Sequence, residues 1–346
     1  MFPKIYVKFR VHSIETSPST VLCFSPFVKK SVMQNFNLTL IQLINVDEWT
    51  IFPKSSFEDF KQEAFYRLNT DFNMSFGGIY AEETPLKLGI NIIDNIQINI
   101  EELFTLNYGI CNKISGRIVE GVISIHLNKS MQLNYGSDMT IPYIYVTSED
   151  NSYGILDTTW RNGGEIRFAF YNLIPYPGAF NIFKLKTIKN KYNGKKGTCS
   201  QGDHFNKCLV KTILEGNYTC TKHCLPLSLP KFDQVEYLPQ CQSWEEYGCM
   251  KGEIEEKIDG IKNICPSACE TVEYVGNVLH NVYLNSPVFR WTYDIRQQMV
   301  VYEEYVVYDF AGFISSVGGM LGLFIGFSFL DFILSGIQFL TKKITK

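Results

Sequence analysis

Apolar and polar positions alternate, or β-branched and aromatic residues cluster, over Tyr6–Val11, Leu38–Ile44, Ile141–Thr147, Glu165–Phe170 and Met299–Val307. Runs of this kind predict strands with at least one face in a core. A different period marks residues 56–69. Ser55-Ser56-Phe57-Glu58 is similar to a capping box, and Phe57, Phe60, Ala64, Phe65 and Leu68 recur at helical spacing behind it. That predicts an amphipathic helix from Ser56 to Asn69 whose apolar side packs in the core. A second helix, acidic and basic, is predicted at Glu253–Asn263. No internal repeat and no long linker breaks the pattern, so residues up to 308 read as a β-rich α+β domain.

The pattern changes at Phe310. From there to Leu340 the only formal charge is Asp331, and the uncharged part, Phe310–Leu330, has 21 residues. At ~1.5 Å rise per residue it would extend about 31 Å, close to a hydrocarbon core of roughly 30 Å. A buried core helix is the alternative, but such a helix normally keeps a polar side. Lys342, Lys343 and Lys346 follow the segment, while Glu303, Glu304 and Asp309 precede it, so the basic end is expected in the cytoplasm. The expected organisation is an extracellular domain at 1–308, a transmembrane helix at 309–340 and a cytoplasmic tail at 341–346.

Met1–Arg10 contains no apolar run long enough for a signal peptide or a spanning helix. Two readings follow: a tail-anchored chain, or one whose upstream membrane segment is missing. Composition favours the second. Ten cysteines are present and eight of them fall between Cys199 and Cys269, a local density that belongs to disulfide-stapled domains in oxidising compartments. Each bridge would restrict the unfolded chain by roughly 2–4 kcal/mol. The gaps at Cys220/Cys224 and Cys265/Cys269 are three residues, not the two favoured by zinc ribbons, and His204 and His223 do not complete a metal pattern. Sequons at Asn37, Asn73, Asn128 and Asn217 fit a glycosylated exterior.

Charge excludes other classes. With 32 basic against 35 acidic side chains the chain lacks the basic surplus of a nucleic-acid binder. His12, His126, His204, His223 and His280 are scattered, and no metalloprotease, phosphate-loop or dinucleotide motif is present. The chain is not expected to be an enzyme, and no cofactor or metal is expected.

Gly318-Gly319-Met320-Leu321-Gly322-Leu323-Phe324-Ile325-Gly326-Phe327-Ser328 resembles the second transmembrane helix of the degenerin/epithelial sodium channel family, which includes the acid-sensing and the insect pickpocket channels. Further stretches resemble the same family in the same order: Ser17–Cys23, Phe104–Cys111, Cys224-Leu225-Pro226 and Cys265–Tyr274. The resemblance covers nearly the whole chain, which looks as if it begins just after a first membrane helix. It implies that 199–269 is a cysteine-rich, thumb-like region with nested bridges Cys23–Cys111, Cys199–Cys269, Cys208–Cys265, Cys220–Cys249 and Cys224–Cys241. It also implies a homo- or hetero-trimer with family subunits in the plasma membrane, and a selectivity filter at Gly326-Phe327-Ser328 for sodium, the permeant ion. Backbone carbonyls at membrane depth are tolerable where they line a pore.

Ser315, Gly318, Gly319, Gly322 and Asp331 are then the expected pore-lining and gating residues. Glycines at 318, 322 and 326 recur every four residues, a seam that permits close helix approach. Asp331 is expected to face the pore, because a carboxylate near a bilayer centre costs about 2.5–3.5 kcal/mol; an acid at the cytosolic interface is the alternative. Ser316 and Leu334 stand where the family usually places acidic residues, and Lys196 where acid-sensing members place a tryptophan. The expected function is a subunit of a trimeric, ligand- or mechanically gated, amiloride-sensitive sodium channel. The competing expectation is a non-conducting truncated regulatory subunit or a single-pass receptor-like protein.

Overall fold

A computed structural model describes residues 4–11, 18–25, 28–35, 63–78, 82–105, 109–128, 141–147, 166–169, 179–191, 199, 204–229, 231–233, 235–265, 269–283, 288–295, 298–305, 315, 317–320 and 333–338. Two compact units are present, Val7–Tyr302 and Met1–Tyr6 together with Glu303–Lys346.

The strands form two sheets. The first has eight: β1 (Lys4–Val11), β3 (Phe72–Gly77), β4 (Thr84–Leu86), β8 (Val122–Leu127), β11 (Ala179–Lys191), β12 (Glu270–Tyr283), β13 (Val288–Ile295) and β14 (Gln298–Tyr305). Their order is β1-β14-β11-β13-β8-β3-β4, with β12 paired to β11. The second has six: β2 (Ser19–Ser25), β5 (Gly89–Ile93), β6 (Ile96–Thr105), β7 (Gly109–Gly116), β9 (Ile141–Thr147) and β10 (Ile166–Ala169), in the order β10-β9-β2-β7-β6-β5. Pairing is antiparallel in every register determined except β11 with β13, which is parallel.

Alternation places one face of each sheet inward. Leu22, Phe24, Ile98, Ile100, Ile114, Ile144 and Val146 of the six-stranded sheet share a core with Phe72, Met74, Phe76, Ile123, Ile125, Phe289 and Trp291 of the other. A polar bond crosses it: the Thr20 and Tyr293 hydroxyls lie 2.6 Å apart, and the Trp291 indole N–H donates to the same Tyr293 oxygen at 3.2 Å. Burial pushes the Tyr293 phenol far above its ordinary range and keeps it neutral.

Local chemistry fixes the turns. Asp94 and Asn95, at φ 48° and 67°, link β5 to β6 as two left-handed residues, the geometry that matches strand twist in a two-residue hairpin. Gly116 at φ +109° closes β7, and a Cβ there would lie 2.1 Å from the Gln97 carbonyl oxygen. Only glycine fits.

Two longer helices, α2 (His204–Leu214) and α3 (Trp244–Ile264), follow a short α1 (Lys30–Asn35). They build a second core in which Ile213, Tyr218, Leu225, Trp244, Tyr247, Met250 and Ile254 meet Val28, Phe65, Phe104 and Ile110. Phe104 anchors it. Its ring packs edge-on against Phe65 and Tyr247, its N–H donates to Ser228 Oγ at 2.9 Å, and its carbonyl accepts the Ser228 N–H at 2.8 Å.

The strands expected at Ile141–Thr147, Glu165–Phe170 and Tyr6–Val11 coincide with β9, β10 and most of β1, and Met299–Val307 overlaps β14. The strand expected at Leu38–Ile44 and the first part of the helix expected from Ser56 lie outside the described residues. The end of that helix is corrected: Glu63 and Ala64 are helical, but Phe65 bridges Val28 and Leu68 bridges Phe72 in extended conformation. Helical spacing correctly marks Ala64, Phe65 and Leu68 as core. Tertiary strand pairing with α1's leading residues, including Lys29 N–H to Ala64 O at 2.7 Å, overrides the local period. The helix expected at Glu253–Asn263 belongs to the longer α3.

Candidate functional site

Of the expected pore-lining residues, Ser315, Gly318 and Gly319 are described; all are helical and exposed. No described neighbour lies within 4 Å of where a Cβ would stand on Gly318 or Gly319. Residues 333–338 are also helical and exposed, with Ile333, Leu334 and Ile337 presenting large apolar side chains outward, as do Val317 and Met320. Gly322, Gly326, Phe327, Ser328 and Asp331 lie outside the described residues, as do Ser316 and Lys196. Among the described residues no helix is long and apolar enough to cross a membrane.

The cysteines are all paired: Cys23–Cys111, Cys199–Cys269, Cys208–Cys265, Cys220–Cys249 and Cys224–Cys241. These are the pairs that the family resemblance implies. The architecture is thus a β-rich domain stapled by five bridges. Register explains the first of them. Thr20 pairs with Ile114 and Leu22 with Asn112, so the next residues, Cys23 and Cys111, face each other with Cα atoms 4.5 Å apart, the spacing of a non-hydrogen-bonded antiparallel pair. The other four close the α2–α3 module, whose separations of 70, 57, 29 and 17 residues nest one inside another. Cys220 and Cys249 lie near Glu253 as metal ligands would. Their sulfurs are joined to each other, and Glu253 accepts the Thr219 N–H at 2.8 Å.

The start of α3 is set by Ser243, whose Oγ accepts the Glu246 N–H at 3.2 Å, while the Glu246 carboxylate accepts the Gln242 N–H at 3.0 Å. This is a capping box displaced by one residue. Lys222 lies 2.8 Å from Glu246 and, with those backbone bonds, holds its carboxyl below the ordinary range. Further along, Lys251 is buried with Nζ 3.8 Å from Glu255, and burial lowers the lysine's pKa and raises the glutamate's. Tyr218 is pushed up to about 12 by burial and by the charge of Glu253.

A polar cluster that sequence reasoning did not single out lies on the outward face of the eight-stranded sheet. Register aligns Ser75 on β3, Ser124 on β8 and Arg290 on β13 in one row, with His126 one pleat away. Glu83, just before β4, covers the row. Its Oε2 accepts from Ser75 Oγ at 2.7 Å and lies 3.0 Å from His126 Nε2; its Oε1 accepts from Ser124 Oγ at 3.0 Å and from Arg290 at 2.9 Å. With the Ser75 proton directed at Glu83, His126 Nε2, also 3.0 Å from Ser75 Oγ, must carry its own proton. Gly77 permits the approach, since a Cβ there would stand 2.8 Å from the Glu82 carbonyl oxygen and 3.2 Å from the Glu83 Cα. The sequence signal was Ser124 and His126 alternating with apolar residues in β8, which marks a polar outer row.

The four sequons differ. Asn73 is exposed on β3, Asn128 is half-buried at the end of β8, Asn217 is exposed beside α3, and Asn37 lies outside the described residues. Of the histidines, His204 is exposed at the start of α2, while His223 packs edge-on against Tyr218 with Nε2 3.3 Å from its carbonyl oxygen.

No protein-family model and no curated protein matches the chain. Among solved structures, a cryo-EM structure of a proton-activated chloride channel aligns with a TM-score of 0.35 at 9% identity, covering 98% of this chain and 86% of that one. A crystal structure of Erv41p aligns with a TM-score of 0.23 at 7% identity, covering 88% of this chain and 99% of that one. Likenesses at this level carry no conclusion about the fold or function of this chain.

Proposed function

We propose that this chain is a plasma-membrane subunit of a trimeric, sodium-selective, amiloride-sensitive channel, with residues 1–308 outside the cell and the C-terminus inside. The observation that carries the reading is the join between two features. A β-rich domain stapled by five bridges, four of them nested, leads through β14 into the apolar, glycine-spaced run Phe310–Leu340 that contains Gly326-Phe327-Ser328. Bridges of this number require an oxidising compartment. The run is long enough to span a bilayer.

In this reading three copies of the segment approach along their small-residue seams, and carbonyls at 326–328 replace part of the sodium hydration shell. Asp331, three residues beyond, adds a negative charge that draws cations toward the pore. The extracellular domain converts an outside stimulus, chemical or mechanical, into pore opening. No catalytic step and no cofactor is assigned.

Recording from oocytes that express the complete transcript product tests the proposal. An inward current that is lost when potassium replaces sodium, and that amiloride blocks, is the expected result. A bridged, surface-resident protein that passes no current under acid, peptide, lipid or mechanical stimulation would instead support the non-conducting, receptor-like alternative. In a conducting protein, Asp331→Asn is expected to lower single-channel conductance; unchanged conductance and selectivity would place Asp331 at the cytosolic interface.

A further inference from the structure

The stretch Asn217-Tyr218-Thr219 is held to α3 by nearly everything except the Asn217 side chain. The Lys257 ammonium donates to the Asn217 carbonyl, stands 4.0 Å from the centre of the Tyr218 ring and lies 3.2 Å from Glu253. Tyr218 is buried, and its hydroxyl donates to the Ile213 carbonyl at 2.5 Å. Both the N–H and the hydroxyl of Thr219 donate to Glu253, and Cys220 is bridged to Cys249. Asn217 itself is exposed, and among the described residues its amide has no partner.

Asn128 is the opposite case. It is half-buried, its Nδ2 donates to the Thr70 carbonyl at 2.5 Å, and its N–H donates to the Asp71 carbonyl at 3.1 Å. The side chain ties the end of β8 to the turn that precedes β3. A sugar on Nδ2 would compete for the space in which that bond is made.

We propose that Asn217 carries an N-linked glycan in the mature protein and that Asn128 does not. The inference rests on the extracellular placement above. In the transfer, the Asn217 Nδ2 loses one proton and forms a bond to the anomeric carbon of a lipid-pyrophosphate-linked oligosaccharide, and the lipid pyrophosphate departs. Transfer precedes folding, so the folded structure selects which glycosylated chains survive. A chain modified at Asn217 folds with every bond of the Lys257–Glu253–Thr219 lattice intact, whereas one modified at Asn128 must fit the sugar onto a half-buried nitrogen whose remaining N–H alone can keep the bond to Thr70. A bulky polar glycan rooted there also keeps the Glu253–Lys257 edge of α3 in solvent, so this edge is not buried against another subunit.

The test is expression of the full chain in secretory-pathway cells, in an Asn37→Gln/Asn73→Gln background that leaves only Asn128 and Asn217. One enzyme-sensitive glycan is expected, lost in Asn217→Gln and in Thr219→Ala and kept in Asn128→Gln. Digestion of the unsubstituted chain in heavy-oxygen water, followed by peptide mass mapping, reads the occupied asparagine without any substitution. A glycan on Asn128, on both, or on neither while the cysteines are bridged overturns the inference and leaves the extracellular placement standing. No glycan together with reduced, thiol-reactive cysteines would overturn the placement itself.

Discussion

Arg290 on β13 meets Glu83 across 207 residues of sequence, with both Nε and Nη2 of the guanidinium 2.9 Å from the same carboxylate oxygen. The pair is part of a row in which Glu83 also receives Ser75, Ser124 and His126, so one carboxylate fastens the β3–β4 connection to three strands. Burial alone pushes the Glu83 carboxyl up, but the hydrogen bonds from Ser75, Ser124 and His126 and the charge of Arg290 together outweigh it and hold the carboxyl below its ordinary value.

That depression sets a pH dependence. A carboxylate whose folded pKa lies below its unfolded one contributes stability that is present above the unfolded value, about 4.3 for glutamate, and is lost as pH falls through the folded value. Thermal unfolding of the detergent-solubilised chain is therefore expected to show Glu83→Gln less stable than wild type by about 1–2 kcal/mol at neutral pH. The gap should narrow below about pH 4. A gap that stays constant into acid would show that Glu83 acts through shape and not through its charge.

Two glycines predict opposite signs. Gly116→Ala puts a Cβ 2.1 Å from the Gln97 carbonyl oxygen at φ +109°, and should cost roughly 1–3 kcal/mol through strain and displaced backbone. Gly248→Ala, inside α3 with nothing within 4 Å among the described residues, should gain roughly 0.5–1 kcal/mol from helix propensity. Unfolding midpoints of the two variants check both; equal shifts of one sign would contradict the local geometry.

The bridges should not contribute equally. Cys23–Cys111 spans 88 residues and Cys224–Cys241 spans 17. Chain-entropy scaling makes replacement of the first pair by serines costlier than replacement of the second by about 1–2 kcal/mol. Denaturant unfolding of the two double variants reads the difference directly. A larger loss at Cys224–Cys241 would mean that the α2–α3 core depends on its innermost bridge for packing more than for chain entropy.

Strand positions were legible because alternation survives in β9, β10, β1 and β14, each of which was found within a few residues of its bounds. The structure starts α3 at Trp244, ahead of the predicted Glu253, although Ser243 and Glu246 stand at capping-box spacing in the sequence. Phe65 and Leu68 show the converse, with a helical period that correctly marks buried residues while Val28 and Phe72 pair with them as strands. The disulfide ladder was accessible only through family resemblance, because spacing alone does not choose among pairings of ten cysteines. Of the Glu83 cluster only the polar row of Ser124 and His126 on β8 is marked locally; the cluster itself is not, since its members come from positions 75, 83, 124, 126 and 290 and meet only once three strands are in register.

The exposed helical residues Ser315 and 317–320 separate packing within the chain from packing between chains. Gly318→Ala meets no described neighbour within 4 Å and raises helix propensity, so within one chain it should be harmless. In a trimer whose glycine seams touch, the added methyl would hold the helices apart, and current should fall while surface abundance is unchanged. Ser315 is also helical and exposed. Around a closed axis, three tryptophans could not be accommodated together, so Ser315→Trp should raise the current measured without stimulus. Oocyte recordings with surface biotinylation check both. If Gly318→Ala and Ser315→Trp leave current and baseline as in wild type at equal surface abundance, neither side chain lies at a helix-helix contact, and the assignment of this segment to a pore is wrong.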